Sequence, residues 1–387
     1  MSEYIIGEVY ENTVRATAAP LMPFVRMAEV SAEVTTNSRG PQVIFPMTIT
    51  SEDTDETALA LNEAAGTPIT NDDRDVPVDL EILGDSYHIY DGVASLQETV
   101  ANRALQSKVR NETIIAANTL DAKAAAAVFD LGIDGSAFVH EMGPDDQGGG
   151  VMGWDDPVVA GLLHIGPDAT SLASAELLAS DDKMTAAALR MMVQDRINRN
   201  VTPLGYLDAG DLNTALYGCI MSDKQMMDLR AEVGDDSITS TNKYLASDGR
   251  VLSGTFRIWG NLILQTSTRC KEAVDPEEGE DFYAHRCIVY GRDYLGMGAT
   301  PAPALPVADG RVERIVMFGE LDASDAGNPQ GSDRPIPRIF EIRKVPANDA
   351  QGRLQYIAWL AHCGFKLLNP LSGIQLITRA SNDPAIA

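Results

Sequence analysis

The chain has 387 residues, enough for a large core and two or three domains, and its 56 Asp/Glu against 30 Lys/Arg give a formal net charge of -26. A surface of that sign repels polyanions, which argues against nucleic-acid binding as the main task. No stretch approaches the run of about 18 apolar residues that a membrane-spanning helix needs, and the start, MSEYIIGEVYE, lacks the basic stretch and apolar run of a secretory signal.

Residues 1–36 alternate short apolar patches with Pro20 and Pro23, allow a short helix over Val14–Met22, and read as an N-terminal arm lying on something else. GPQVIFPMTIT, Gly40–Thr50, predicts a strand with Val43, Phe45, Met47 and Ile49 on one face; Pro41 and Pro46 suit an edge or bulged strand. After an acidic, turn-rich stretch, VPVDLEILGDSYHIY alternates strictly at Val76, Val78, Leu80 and Ile82. Two long strands around a charged tip make an extended hairpin over residues 37–90, whose narrow faces bury no core of their own and need a neighbouring chain.

Asp91–Asp130 contains no proline and a single glycine, Gly92. Val93, Leu96, Val100, Ala101, Ala104, Leu105, Ile114, Ile115, Leu120 and Ala124 recur mostly at three- or four-residue spacing, which predicts a long helix with a buried stripe. Asp91 is the expected N-cap, and Asn111, Asn118 and Asp121 are the points of interruption; the competing reading is two ordinary helices broken near Asn118. The polar patch Gln106–Glu112 marks a change of partner surface along such a strut.

Leu131–Ile165 carries the glycine-rich loop DDQGGGVMGW. It lacks the basic residue and strand–loop–helix setting of a phosphate loop, so a surface loop is expected. Ser171–Arg199 predicts two helices, the second with Met184, Ala188, Met191, Met192 and Ile197 as its apolar set and Asp181 or Asp182 as its cap. Ala215–Met221 reads as a strand running into the helix DKQMMDLRAEVG. VLSGTFRIWGNLILQTS buries Phe256, Ile258, Leu262 and Ile263, with turns at Gly254 and Gly260. HRCIVYGRDYLGMG is a further strand. Residues 205–300 thus read as an independent mixed sheet with helices. PAPALPVADG, Pro301–Gly310, is a stiff connector, and the final runs, through LQYIAWLAHCGFKLL and GIQLITRA, predict a terminal pair of strands returning to the strut.

No constellation carries chemistry. His88, His140, His164, His285 and His362 form no metal-binding pair, and His140–Glu141 with Asp145–Asp146 is a surface cluster. The tetrads Ser180–Lys183 and Ser240–Lys243 have no KTG partner, and no GxSxG occurs. Cys219, Cys270, Cys287 and Cys363 form no CxxC and are expected as reduced, buried thiols. The reading is therefore no enzyme, with no catalytic, cofactor-binding or metal residue. Acidity is uneven: 16 acidic against 4 basic residues in 1–90, 5 against 4 in 91–130, 27 against 13 in 131–310, and 8 against 9 in 311–387. Acidic parts of one copy are expected to meet the neutral-to-basic parts of another, with Arg338, Arg343, Lys344 and Arg353 in the basic tail.

The order of these pieces resembles the major capsid (coat) proteins of tailed bacteriophages, in the group that includes short-tailed phages. The resemblance lies in GPQVIFPMTI and the strand after it, YDGVASLQETVANRAL, SLASAELLASDDKMTAAALRMM, ALYGCIMSDKQMMDLRAEVG, GTFRIWGNLILQTS, CIVYGRDYLG and QGRLQYIAWLAHCGFKLLNPLSGIQLITRA. Met221–Ser222 stands where that family commonly has a histidine–proline pair; Gly132–Pro167 and Pro306–Pro337 match less well. The resemblance implies an α+β capsid fold: an N-terminal arm (1–36), an extended loop (37–90), a peripheral domain (91–204) with a spine helix (91–130), an axial domain (205–310) and a return to the peripheral domain (311–387) with a surface insertion at 306–337. It implies many copies in pentamers and hexamers of an icosahedral shell around double-stranded DNA, assembled in the host cytoplasm with a scaffolding protein and a portal, with room for a decoration protein. A nanocompartment shell of the same fold and an unrelated soluble enzyme or binding module are the rival readings.

Overall fold

The computed structural model describes residues 21–31, 34–37, 40–49, 72–90, 98–129, 163–167, 175–208, 213–234, 257–274, 281–300, 313–317, 340–346 and 354–381. The glycine-rich loop with His140, the tip of the expected hairpin, the start of the strut with Asp91, the Ser240–Lys243 tetrad, and Gly254 with Phe256 lie outside them.

A helix of 32 residues, Glu98–Phe129 (α2), lies within the span expected for the strut and runs unbroken through Asn111, Asn118 and Asp121. At 1.5 Å per residue it is about 48 Å long. It contains neither glycine nor proline, so no residue of the segment imposes a break. Its buried face is Val109, Ala116, Ala117, Leu120, Ala124, Ala125 and Val128. Ile115, expected in the stripe, is 42% exposed instead. Four of those seven buried residues are alanine, which lets the helix backbone come close to the sheet beneath it.

That sheet has six strands. Its centre is β16 (Leu354–Leu367), and β5 (Glu81–Tyr90) runs antiparallel along one edge of it, from Leu354 to Cys363. The other edge is shared: β15 (Phe340–Pro346) pairs the first half of β16 and β13 (Leu295–Thr300) the second. β14 (Glu313–Met317) extends the sheet beyond β15, and β1 (Ala28–Ser31) joins β13 in parallel. Trp359, Ala361 and Cys363 of β16, with Leu295, Met297 and Ala299 of β13, face the helix.

The second sheet has eight strands. It follows the order β6 (Leu163–Ile165), β17 (Gly373–Thr378), β12 (Phe282–Tyr290), β8 (Asn213–Met221), β10 (Leu262–Thr266) and β9 (Arg257–Trp259), with β11 (Lys271–Val274) on β12 and β7 (Gly205–Asp208) on β8. Two-residue alternation divides its faces. Ile220 and Ile288 point into the core shared with α2, while Cys219, Met221, Cys287 and Val289 point to helices α3 (Ala186–Asn198) and α4 (Asp223–Val233).

Several expectations are corrected. Residues 205–300 are not an independent sheet: β6 and β17 come from outside that range, and β13 from inside it belongs to the other sheet. Of the two terminal strands only β16 returns to the strut; β17 crosses to the eight-stranded sheet after the turn Pro370–Ser372, where Asn369 Oδ1 accepts the Leu371 N–H at 3.1 Å. Thr185, not Asp181 or Asp182, caps α3, because its extended backbone lets Oγ1 accept from Ala188 N at 3.1 Å; Asp182 spends its carboxylate on Ala179 N. Ile197 is 39% exposed, and the buried face of α3 instead includes Arg196. In β10 the buried pair is Leu262 and Leu264 rather than Leu262 and Ile263.

Residues 21–31, the described part of the expected arm besides β2 (Val34–Asn37), are built into the body of the same chain. Pro23–Met27 forms one turn of helix (α1) that buries Phe24, Val25 and Met27 against α2. The tie is Asp121, in the middle of α2: its Oδ1 accepts from Phe24 N at 2.8 Å and Val25 N at 3.4 Å, and its Oδ2 from Arg269 Nε at 3.1 Å. A carboxylate from one helix thus caps the N-terminus of another.

Candidate functional site

Two attachments organise the described part of the chain. The first is the C-terminal end of α2. Helix ends leave carbonyls without intrahelical partners. Here Gln375 Nε2 donates to Val128 O at 2.9 Å and to Tyr294 Oη at 3.1 Å, and Arg286 Nη1 donates to Gln375 Oε1 at 3.0 Å and Phe129 O at 3.4 Å. The guanidinium lies 4.6 Å over the Phe129 ring, and its other arm meets Glu272 at 3.3 Å. Cations at a helix C-terminus also answer its dipole. Burial holds the Tyr294 hydroxyl up at about 12, so it stays a neutral partner. Helix and eight-stranded sheet are therefore joined by a buried, directional network. Beside it an open cavity of about 330 Å³ is lined by Phe129, Arg269, Lys271, Glu272, Ala284, Arg286 and Ile377.

The second attachment is the root of the hairpin. β3 (Gly40–Ile49) pairs antiparallel with β4 (Asp72–Asp79), from Gln42 with Asp79 to Ile49 with Asp72, and β2 covers only Gly40–Val43 on the other side. β3 is thus a central strand, not an edge. Its prolines fit because of where their missing N–H groups would point. Pro41 O accepts from Leu80 N at 3.2 Å, so Pro41 faces the point where β4 ends. Pro46, five residues on, faces the opposite side, which β2 no longer covers.

The second expected strand is in fact two. The chain leaves β4 at Leu80 and enters β5, which belongs to the six-stranded sheet; Val76 and Val78 are buried, whereas Ile82 is 65% exposed. Nor does the hairpin lack a core in its own chain. Val43, Phe45, Val76 and Val78 cluster with Leu368, and Leu80 packs alongside. They sit on the face of the six-stranded sheet that is turned away from α2, over two paired glycines, Gly298 and Gly364. A Cβ on Gly364 would stand 1.9 Å from Asp79 O, and one on Gly298 would stand 2.9 Å from Val43 Cβ. Asp79 Oδ1 accepts from Gln42 Nε2 across the root.

Among the remaining candidates, Ser180 and Lys183 are surface residues before α3, and His164 and His362 lie apart on β6 and β16. Among the described residues no group of three or more His, Cys, Asp or Glu is arranged to hold a metal ion. One contact was not foreseen: Ser222 Oγ lies 2.7 Å from His285 Nδ1. Both are buried, Ser222 is the N-cap of α4 in a capping box with Gln225, and Gln225 Nε2 bonds His285 O and Thr378 Oγ1. A nucleophile must reach its substrate, and this hydroxyl caps a helix inside the protein. The S-x-x-Q pattern of SDKQ was the legible sign of the cap; its histidine partner lies 63 residues away.

No family model and no curated protein sequence matches this chain. Solved structures do. The capsid of Ralstonia phage GP4 is similar with a TM-score of 0.56 and 15% identity over 92% of this chain and 88% of that one. The capsid asymmetric unit of cyanophage Pam1 is similar with a TM-score of 0.50 and 12% identity over 88% and 86%. The holo-SrpI encapsulin complex from Synechococcus elongatus PCC 7942 matches with a TM-score of 0.42 and 9% identity over 94% and 91%. At these identities the likeness to the GP4 and Pam1 capsids shows the fold alone, a mixed α+β fold of the HK97-like kind.

Proposed function

We propose that this chain is the major capsid protein of a tailed bacteriophage, self-assembling into pentamers and hexamers of an icosahedral shell around double-stranded DNA. The observation that carries the reading is the likeness to the GP4 capsid over 92% of the chain. In this reading α2 is the spine of a peripheral domain with the six-stranded sheet, the eight-stranded sheet is the axial domain, and the hairpin is the extended loop that reaches a neighbouring subunit. A net charge of -26 suits a wall that must not bind the polymer it contains. In this reading the chain carries no chemistry of its own, and its partners are copies of itself, a scaffolding protein and a portal.

The test is sedimentation and electron microscopy of the protein from its native source. Closed particles with nuclease-protected DNA inside are expected. Monomers or dimers alone overturn the shell reading, and closed particles holding a protein cargo in place of DNA overturn the viral part of it.

A further inference from the structure

The eight-stranded sheet falls into two halves, β6, β17, β12 and β11 on one side and β8, β10, β9 and β7 on the other, joined where β8 meets β12. β12 holds β17 over six paired positions and β8 holds β10 over five. The seam between the halves is shorter, three positions, with Gly218, Cys219 and Ile220 opposite Tyr290, Val289 and Ile288. At that seam each strand carries a cysteine. Cys219 stands opposite Val289, and Cys287, two residues before Val289, therefore shares its face, on the diagonal. The two thiols meet with Sγ 3.5 Å from Sγ, both fully buried in the core that α3 and α4 cover. Cys270 and Cys363 pack elsewhere, in the core beneath α2.

We propose that Cys219 and Cys287 are an oxidation site, a dithiol that closes to a disulfide and fastens β8 to β12 across the seam. Each thiol gives up one hydrogen and the two sulfurs join, while a small azo or disulfide oxidant takes up the two electrons and two protons. The sulfurs must close from 3.5 Å to about 2.05 Å, a movement shared by two side chains that already face each other. A diagonal pair spans more than residues directly opposite, so the bond carries strain and is readily reduced again. Burial, then the hydrogen bond to Cys219, holds the Cys287 thiol well above its ordinary range, so the pair reacts slowly and only with small oxidants. The bond would tie residues 68 apart in sequence, and closing a loop of that length removes freedom from the unfolded chain. The site belongs to the single chain. Only its setting rests on the shell reading, in which a subunit folds in a reducing cytoplasm and persists outside it.

The experiment treats the purified, fully reduced chain with diamide under native conditions, then unfolds it in urea with excess iodoacetamide and no reductant. Two cysteines should take label, Cys270 and Cys363, and the peptides of Cys219 and Cys287 should appear joined; dithiothreitol before unfolding should restore labelling of all four. The oxidised chain should melt about 2–5 °C above the reduced one. Cys219→Ala and Cys287→Ala should each lose both the joined peptides and the rise. Four labels after diamide overturn the site, as does a bond that includes Cys270 or Cys363. Joined peptides without a rise in melting temperature overturn the fastening. Particle formation is not the readout, so either failure leaves the shell reading standing.

Discussion

Replacing Gly364 by alanine tests whether the hairpin is seated where the geometry puts it. The new methyl would stand 1.9 Å from Asp79 O and 3.2 Å from Val78 Cγ1. Its first obstacle is a backbone oxygen, which cannot rotate away, so β4 must retreat by about 1.5 Å or more to reach ordinary contact. That lifts Val78, and with it the cluster of Val43, Phe45, Val76 and Leu368, off the sheet. Overpacking of this kind costs about 2–3 kcal/mol. Gly298→Ala is the milder comparison: its methyl would meet Val43 Cβ at 2.9 Å and Val43 Cγ2 and Leu80 Cδ2 at 3.0 Å, so β3 must shift by about half an ångström, and it should cost about 1–2 kcal/mol, less than Gly364→Ala. Exchange protection of β3 and β4 should drop in Gly364→Ala while α2 and the eight-stranded sheet keep theirs, and light scattering should show slowed or aborted assembly. Unchanged hairpin protection in Gly364→Ala, or a larger effect from Gly298→Ala, would refute the seating.

Other outcomes follow from single residues. Burial raises the Asp121 carboxyl to about 6 against the opposing donors Phe24 N, Arg269 and Val25 N, so its contribution is present below about pH 4 and lost as pH rises through 6. Asp121→Asn, which keeps an acceptor for Phe24 N, should denature in urea within about 1 kcal/mol of wild type at pH 8, whereas Asp121→Ala should lose about 2–3 kcal/mol by stranding that N–H. Glu112, buried on the sheet side of α2 with Oε2 unpartnered, is raised by burial and then by Asp85. Its ionisation therefore removes stability as pH rises past the ordinary carboxylate range. Glu112→Gln should raise the melting temperature at pH 8 and not at pH 4; a lower melting temperature at pH 8 contradicts the argument. All four cysteines are buried and free, with burial raising Cys270 and Cys287 well above the thiol range and Cys363 to about 12. Iodoacetamide should leave them untouched in the native chain and label four after unfolding; rapid native labelling of any one would show that its surroundings open.

What the sequence made legible were the features written in local spacing. The long helix shows in a stretch without proline and with apolar residues at three- and four-residue intervals, and the capping box shows in SDKQ. The break at Leu80 does not show, because Val76, Val78, Leu80 and Ile82 alternate without interruption. The switch of sheets there is decided by β16, whose Cys363 pairs with Glu81 from 282 residues along the chain. Buried charge misled in the same way. Nothing local marks Arg196 as internal, yet its side chain is fully buried, donating to Gly373 O at 2.8 Å and to Leu371 O. Asp121 reads as a helix breaker because its partners, the Phe24 and Val25 amides, lie 97 and 96 residues away. Even the prolines of β3, read as marks of an edge, report something finer: which side of each residue goes without a partner.

The two attachments also differ in kind, and that difference bears on what the chain is proposed to do. The joint at the end of α2 is made of hydrogen bonds among Gln375, Arg286, Tyr294 and two helix carbonyls inside the protein, so any rotation about it strands buried polar groups at a cost of about 1–3 kcal/mol each. Helix and eight-stranded sheet must then move as one. The hairpin root is held mostly by apolar contact against two glycines, and contact of that kind has no preferred direction, so β3 and β4 can tilt on their seat while Val43 and Val78 stay buried. A subunit that fills both five-fold and six-fold positions of one shell needs this division: a body that keeps its shape, and a reaching element whose angle follows the neighbour it meets.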